Sequence, residues 1–141
     1  IKIPKNQDDT KFSIQYTLAC ALIQGSYGII DMDPPKLTPE VLTLIEKIHL
    51  IPDTAMEDRT RGIRGTRVEV VMKDGEKKEE TVLVPRGDPE KPLTRSDIID
   101  KLRNCAQGQS NESTLMKLVT AIEKIDGTGK FANPIKMIGT M

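Results

Sequence analysis

An ammonium, a hydroxyl and an amide fall within five residues of one another at Lys11, Ser13 and Gln15, with Phe12 and Tyr16 among them. Each of the three polar groups can donate a hydrogen bond to an anionic oxygen. The stretch that follows, KFSIQYTLACALIQG (11–25), reads as a helix that would hold them in place. Ser13 stands where an N-cap hydroxyl takes up a first-turn N–H, and Gly25 stands where a helix ends in the left-handed conformation. Ile14, Leu18, Ala21 and Leu22 recur at i, i+4, i+7 and i+8, which predicts that they form the buried face. Ala19, Cys20 and Ala21 keep the middle of the helix slim, so that a neighbour can approach closely. Bare N–H groups and the positive end of the helix dipole attract anions. The entrance at Lys11–Tyr16 therefore reads as half of an anion-binding site; the plainer alternative is a capped core helix with a solvated lysine.

Other chemistry-bearing residues are scattered. His49 is the single histidine, at the end of a second helical stretch, so a Ser/His/Asp set is hard to assemble. Arg59, Arg61, Arg64 and Arg67 make the densest cationic cluster, of a type suited to carboxylates. Glu57 and Asp58 lie beside it, and the segment 53–66 reads as a mobile polar loop. Asp8, Asp9, Asp31 and Asp33 are spread among prolines and read as solvated loop acids, not metal ligands. The sequence has no phosphate-loop motif, no Cys-x-x-Cys, no His-Glu-x-x-His and no Gly-x-Ser-x-Gly. Neither a metal nor a cofactor is expected.

The elements that must position these groups come from the rest of the 141 residues, enough for one domain with a real core. Lys+Arg and Asp+Glu are both 21, so no global field draws in nucleic acid or an anionic membrane. Aromatics are 3% and Trp is absent, which argues against base-stacking platforms. Cys20 and Cys105 both fall on apolar helix faces and read as reduced, buried thiols of a cytoplasmic protein. No run has the length of a membrane span and no signal-peptide pattern is present. The lead-in IKIPKNQDDT reads as polar and extended, and its start at Ile1 suggests a piece of a longer protein.

Thr38, Pro39 and Glu40 start a second helix with Val41, Leu44, Ile45 and Ile48 as its buried stripe. Strands are expected over Arg67–Lys73 and Glu79–Val84, joined by Asp74-Gly75 as a type I′ turn. Thr94 with Asp97 starts another helix, whose buried side is read as Ile98, Ile99, Leu102, Cys105 and Ala106. A last helix runs from about Glu112 to Ile125 and stops at Asp126-Gly127. The expected fold is α+β: a small antiparallel sheet, its hairpin at about 67–84, packed with about four helices on one face. Residues 1–127 form the domain and 128–141 a tail.

Taken in order, KFSIQYTLACALIQG, LTPEVLTLIEKI, RVEVVMKDGEKKEETV and RGDPEKPLTRSDIIDKLRNCA resemble the second, smaller domain of the MmgE/PrpD family. These are 2-methylcitrate dehydratase-like enzymes, a group that includes cis-aconitate decarboxylase and iminodisuccinate epimerase. The Lys-Phe-Ser entrance and the Gly-x-Pro…Pro-Leu-Thr loop before a helix carrying Lys101 are the most specific pieces. The resemblance implies that the catalytic all-helical domain is absent from this chain. It also implies that residues 1–127 close over the cleft as a lid, inactive alone, and that the whole enzyme is commonly a homodimer. The implied substrates are small di- and tricarboxylates. The implied reaction abstracts a proton next to a carboxylate, then eliminates water, loses carbon dioxide or re-protonates. Lys11 becomes the first candidate to bind a substrate carboxylate, and Ser13 with its helix N–H groups the second, with Gln15 beside them. The chain departs from the pattern at Phe12, where the decarboxylase and some dehydratase relatives carry a histidine. A 2-methylcitrate dehydratase-like lyase leads, with the epimerase or isomerase branch and the decarboxylase open. A non-catalytic α+β binding or dimerisation module is the alternative outside the family's chemistry.

Overall fold

The computed structural model describes residues 1–33, 35–58, 60–108 and 110–125. Arg59 and the expected helix stop and tail from residue 126 on lie outside the described residues. The chain divides into two compact units: Ile1–His49 with the described residues from Ile98 on, and Leu50–Asp97.

In the first unit the lead-in is not extended throughout. Asn6 accepts the Asp9 N–H at 3.0 Å and starts a short helix, α1 (Gln7–Lys11). Asp8 and Asp9 sit at its positive end and Lys11 in its last turn, the arrangement the helix dipole favours. Phe12 and Ser13 then link it to α2 (Ile14–Gln24). Ser13 caps α2 by accepting the Tyr16 N–H at 3.1 Å. Gly25 closes the helix in the left-handed conformation, at φ 76°, and donates to the Ala21 carbonyl. A 3₁₀ turn at Ile29–Asp31 leads to α3 (Pro39–Lys47), started by Thr38 and Pro39 as the sequence predicts.

The buried face of α2 differs from the expected one. Tyr16, Ala19 and Cys20, at i, i+3 and i+4, are wholly buried, and they form the core with Val41 and Ile45 of α3. Ile14 and Leu22 are exposed instead, with Leu18 and Ala21 half-buried. Periodicity on a helix with apolar residues on two opposite sides does not say which side meets the core. Tyr16 decides it, because its ring stands edge-on to Tyr27 at 6.0 Å and its hydroxyl is needed inside. That hydroxyl donates to the Asp31 carbonyl at 2.5 Å and accepts the Lys36 N–H at 2.8 Å.

Two further helices follow late in the chain. In α4 (Arg95–Cys105) Ile99 is buried and Leu102 half-buried, as is Ala106 just past its end, whereas Ile98 and Cys105 face solvent, contrary to the expected side. Cys20 and Cys105 are both free thiols, the first buried and the second exposed. In α5 (Glu112–Glu123), capped by Asn111, the buried residues are Leu115, Leu118 and Val119. Arg103 bridges the end of α4 to Glu112 at the start of α5, at 2.7 Å.

The second unit holds both sheets. The expected loop at 53–66 contains a two-stranded ribbon, β1 (Glu57–Asp58) with β2 (Ile63–Arg64). Its neighbour pairs β3 (Thr66–Val71) with β4 (Lys77–Val82), antiparallel, with Val68 opposite Glu80 and Val70 opposite Lys78. Gly65 joins the two ribbons where a Cβ would come within 2.9 Å of the Leu83 side chain. The turn between β3 and β4 is not type I′, which needs two consecutive residues at positive φ. Among the described residues only glycines take positive φ, and here only Gly75, at 88°, does so. Its N–H donates to Met72 while the Met72 N–H donates to Glu76, a three-residue loop with a glycine bulge. Only Val68 and Val70 are half-buried on β3, and β4 is exposed along its whole length, so this ribbon has no continuous buried face of the expected kind. The fold is a small α+β arrangement of five helices and two two-stranded antiparallel sheets among the described residues.

Candidate functional site: the joint between the first two helices

A short helix ends at Lys11 and a longer one begins at Ile14, so the groups singled out by sequence meet at a two-residue joint. Lys11 is exposed, and its ammonium pairs with Asp8 at 3.0 Å, one turn back. Phe12 projects into solvent with 73% of its surface exposed. Ser13 lies deeper. It is buried, donating to the Lys2 carbonyl at 2.9 Å while accepting from Tyr16 N–H. Both roles of the hydroxyl are therefore taken up by the backbone, and what it leaves for a ligand is the helix start it shapes. By helix geometry the N–H groups of Ile14 and Gln15 have no partner within α2. Gln15 is half-buried beside them. The joint thus offers an exposed ammonium, first-turn N–H groups and an amide near one helix end, a combination suited to holding a carboxylate.

Behind the joint is a satisfied polar network. Asp31 is buried, accepting from Gly28 N–H at 2.9 Å and from the Lys36 ammonium at 2.7 Å. Burial would raise its pKa, but the Lys36 and Gly28 bonds outweigh that and hold it below the ordinary carboxylate value. Burial pushes the Tyr16 phenol up to about 12 and the Cys20 thiol up as well, so neither ionises near neutrality. This network fixes the turn after α2 and the approach to α3, and it contains no group poised to exchange a proton at pH 7.

The arginine cluster is partly spent. Arg61 pairs with Glu90 at 2.8 Å and Arg67 with Asp53 at 3.5 Å. Arg61 and Arg64 line a cavity of about 190 Å³ with Leu83, Val84, Asp88 and Glu90. Its carboxylates offset the cations, and its volume is below the ~300 Å³ at which ligand pockets usually begin. His49 is exposed just after α3. Among the described residues no group of three or more His, Cys, Asp or Glu could hold a metal ion, and no helix is long and apolar enough to cross a membrane.

Two features were not legible in the sequence. The Asn6 cap that creates α1 hides in a polar run, where Asn-x-x-Asp was the available signal. The Asp8 partner of Lys11 follows from that helix, because only helical spacing brings residues three apart together.

Fold and joint together define a small α+β domain that presents a polar helix–helix corner and no self-sufficient catalytic cluster among its described residues. A family model described as the MmgE/PrpD C-terminal domain matches residues 2–124, and the chain belongs to that family. Cis-aconitate decarboxylase of Mus musculus is similar at 25% identity over 131 residues, covering 87% of this chain and 25% of the mouse protein. The chain thus spans about a quarter of the length of that curated relative.

Proposed function

We propose that this chain is the lid of a longer MmgE/PrpD enzyme, closing over a cleft that the rest of the polypeptide provides. The observation that carries this reading is the family match over residues 2–124 of a chain that covers only a quarter of its curated relative. The substrates are small di- or tricarboxylates, and the reaction is that of a 2-methylcitrate dehydratase-like lyase, starting with proton abstraction next to a carboxylate. Within this chain Lys11 binds a substrate carboxylate, aided by the first-turn N–H groups of α2 and by Gln15. Ser13 acts by holding the helix start in register with the Lys2 carbonyl. Positive charge placed there stabilises the negative charge that develops on the carboxylate side of the substrate, and closure excludes water. The base that removes the proton is assigned to the remainder of the protein, because the joint offers an ammonium already paired with Asp8, a hydroxyl spent on the backbone and an amide. The whole enzyme is proposed to work as a cytoplasmic homodimer.

Phe12 favours the second reading within the family, the epimerase or isomerase branch, over the decarboxylase chemistry of the mouse relative. A phenyl ring cannot exchange a proton, so any step that uses an imidazole at this position is unavailable here. The two readings separate on turnover of 2-methylcitrate, cis-aconitate and iminodisuccinate by the longer protein. Water loss from the first supports the lyase, and configurational inversion of the last supports the epimerase. Turnover of none of the three would leave a non-catalytic binding module.

A further inference from the structure

Helix α2 carries no charged residue in IQYTLACALIQ, unlike the other helices. α3 has Glu40, Glu46 and Lys47, and α4 and α5 present acids and bases to solvent. One side of α2 is spent on the core through Tyr16, Ala19 and Cys20. The opposite side is apolar too, with Ile14 58% and Leu22 46% exposed and Leu18 and Ala21 between them. A helix that is apolar on two opposite sides and polar only at Gln15, Thr17 and Gln24 has one more apolar side than its own core uses. Its occupant has to be uncharged, because a charged group laid on it would lose hydration without gaining a counter-ion. Ala21 on the stripe and Gly25 at its end leave room for another backbone to come close.

We infer that the Ile14–Leu18–Leu22 stripe is the seam on which the remainder of the longer polypeptide docks, through an uncharged aliphatic surface. The inference rests on the reading that the chain is part of a longer enzyme. The family model is that of a C-terminal domain, and three-quarters of the mouse relative has no counterpart in this chain, so there is ample protein to cover the stripe. Docking along α2 also explains why the site residues sit at one end of this helix: a seam running along it holds the Lys11–Gln15 corner at the edge of the joined parts.

The test is thiol labelling of Leu22→Cys in a Cys105→Ser background, with a maleimide probe. Leu22 is two and a half turns from Ser13, so the substitution spares the proposed carboxylate site. In the native longer polypeptide the introduced thiol should label at least about tenfold more slowly than in the same protein unfolded by urea, as expected for a residue exposed only by local opening. Native and unfolded rates within about threefold of one another would show an open face and overturn the seam. In the 141-residue chain alone the introduced thiol should label fast, while wholly buried Cys20 reports that the chain is folded. Protection in the short chain that grows with its concentration would make a second copy the occupant and overturn the proposal. Turnover is scored separately: a protected thiol in a protein that converts none of the polycarboxylates leaves the seam standing and removes the enzyme reading.

Discussion

Lys11 occupies the last turn of α1, where the carbonyl end of the helix favours a cation, and Asp8 supplies a carboxylate at 3.0 Å. In the proposed complex a substrate carboxylate replaces that of Asp8, so the internal pair competes with binding. Exposed pairs of this kind are worth less than about 1 kcal/mol, which caps the effect. Asp8→Asn in the full enzyme should lower KM by up to about fivefold with kcat little changed. A KM that stays the same or rises would show that Lys11 is not exchanging one carboxylate for another. Tyr16 makes a different point at this scale. Its hydroxyl satisfies the Asp31 carbonyl and the Lys36 N–H, and Tyr16→Phe leaves both without that partner. That change should destabilise the chain by about 1–3 kcal/mol in urea unfolding, and a loss under about 0.5 kcal/mol would mean that water replaces the hydroxyl. The Ser13 cap and the Gly25 stop were readable from residue type because each answers a local backbone need. The Tyr16 bonds were not, since their partners lie 15 and 20 residues away.

Among the elements, α3 was legible at its start and along its stripe: Thr38, Pro39 and Glu40 start it, Val41 and Ile45 are buried, and Leu44 and Ile48 are half-buried. Its charged residues leave one apolar stripe, so the face is unambiguous. α2 has no such contrast, and its buried side came out opposite to the expected one. The start of α4 shows how local chemistry reads well even at an exposed site. Thr94 N–H donates to the Asp97 carboxylate at 2.9 Å, and Asp97 N–H donates to the Thr94 hydroxyl at 3.2 Å, a reciprocal cap. The Thr94 N–H and the Arg86 guanidinium lower the Asp97 pKa from 3.8 to about 2. A carboxyl with a depressed folded-state pKa stabilises the fold above its unfolded value. That stability is present above about pH 4 and is lost as pH falls towards 2. Unfolding midpoints followed from pH 5 to pH 2 should therefore fall less steeply in Asp97→Asn than in the wild type over the range ~4 to ~2. Parallel curves would mean that the cap is equally formed in the unfolded chain. Thr94→Ala should cost about 1 kcal/mol at neutral pH, seen as a lower urea midpoint.

At the level of the whole molecule, the order of helical and strand stretches indicated a small α+β fold, and the order of four short stretches carried the family. The division into a helical unit and a unit holding both ribbons was not legible, because exposure of β4 depends on what covers the sheet and not on its alternation. The corner at Lys11–Gln15, proposed to bind a carboxylate, is made of an ammonium, a hydroxyl spent on the backbone and an amide. Those facts fit a domain whose function is completed by the rest of a longer enzyme. The direct test is turnover of 2-methylcitrate, cis-aconitate and iminodisuccinate by the longer protein and by its Lys11→Ala variant. Loss of one charge-assisted contact to the substrate should reduce kcat/KM on the preferred substrate by about 10–100-fold. Turnover undiminished by Lys11→Ala would take the α1–α2 joint out of the active site and contradict the account.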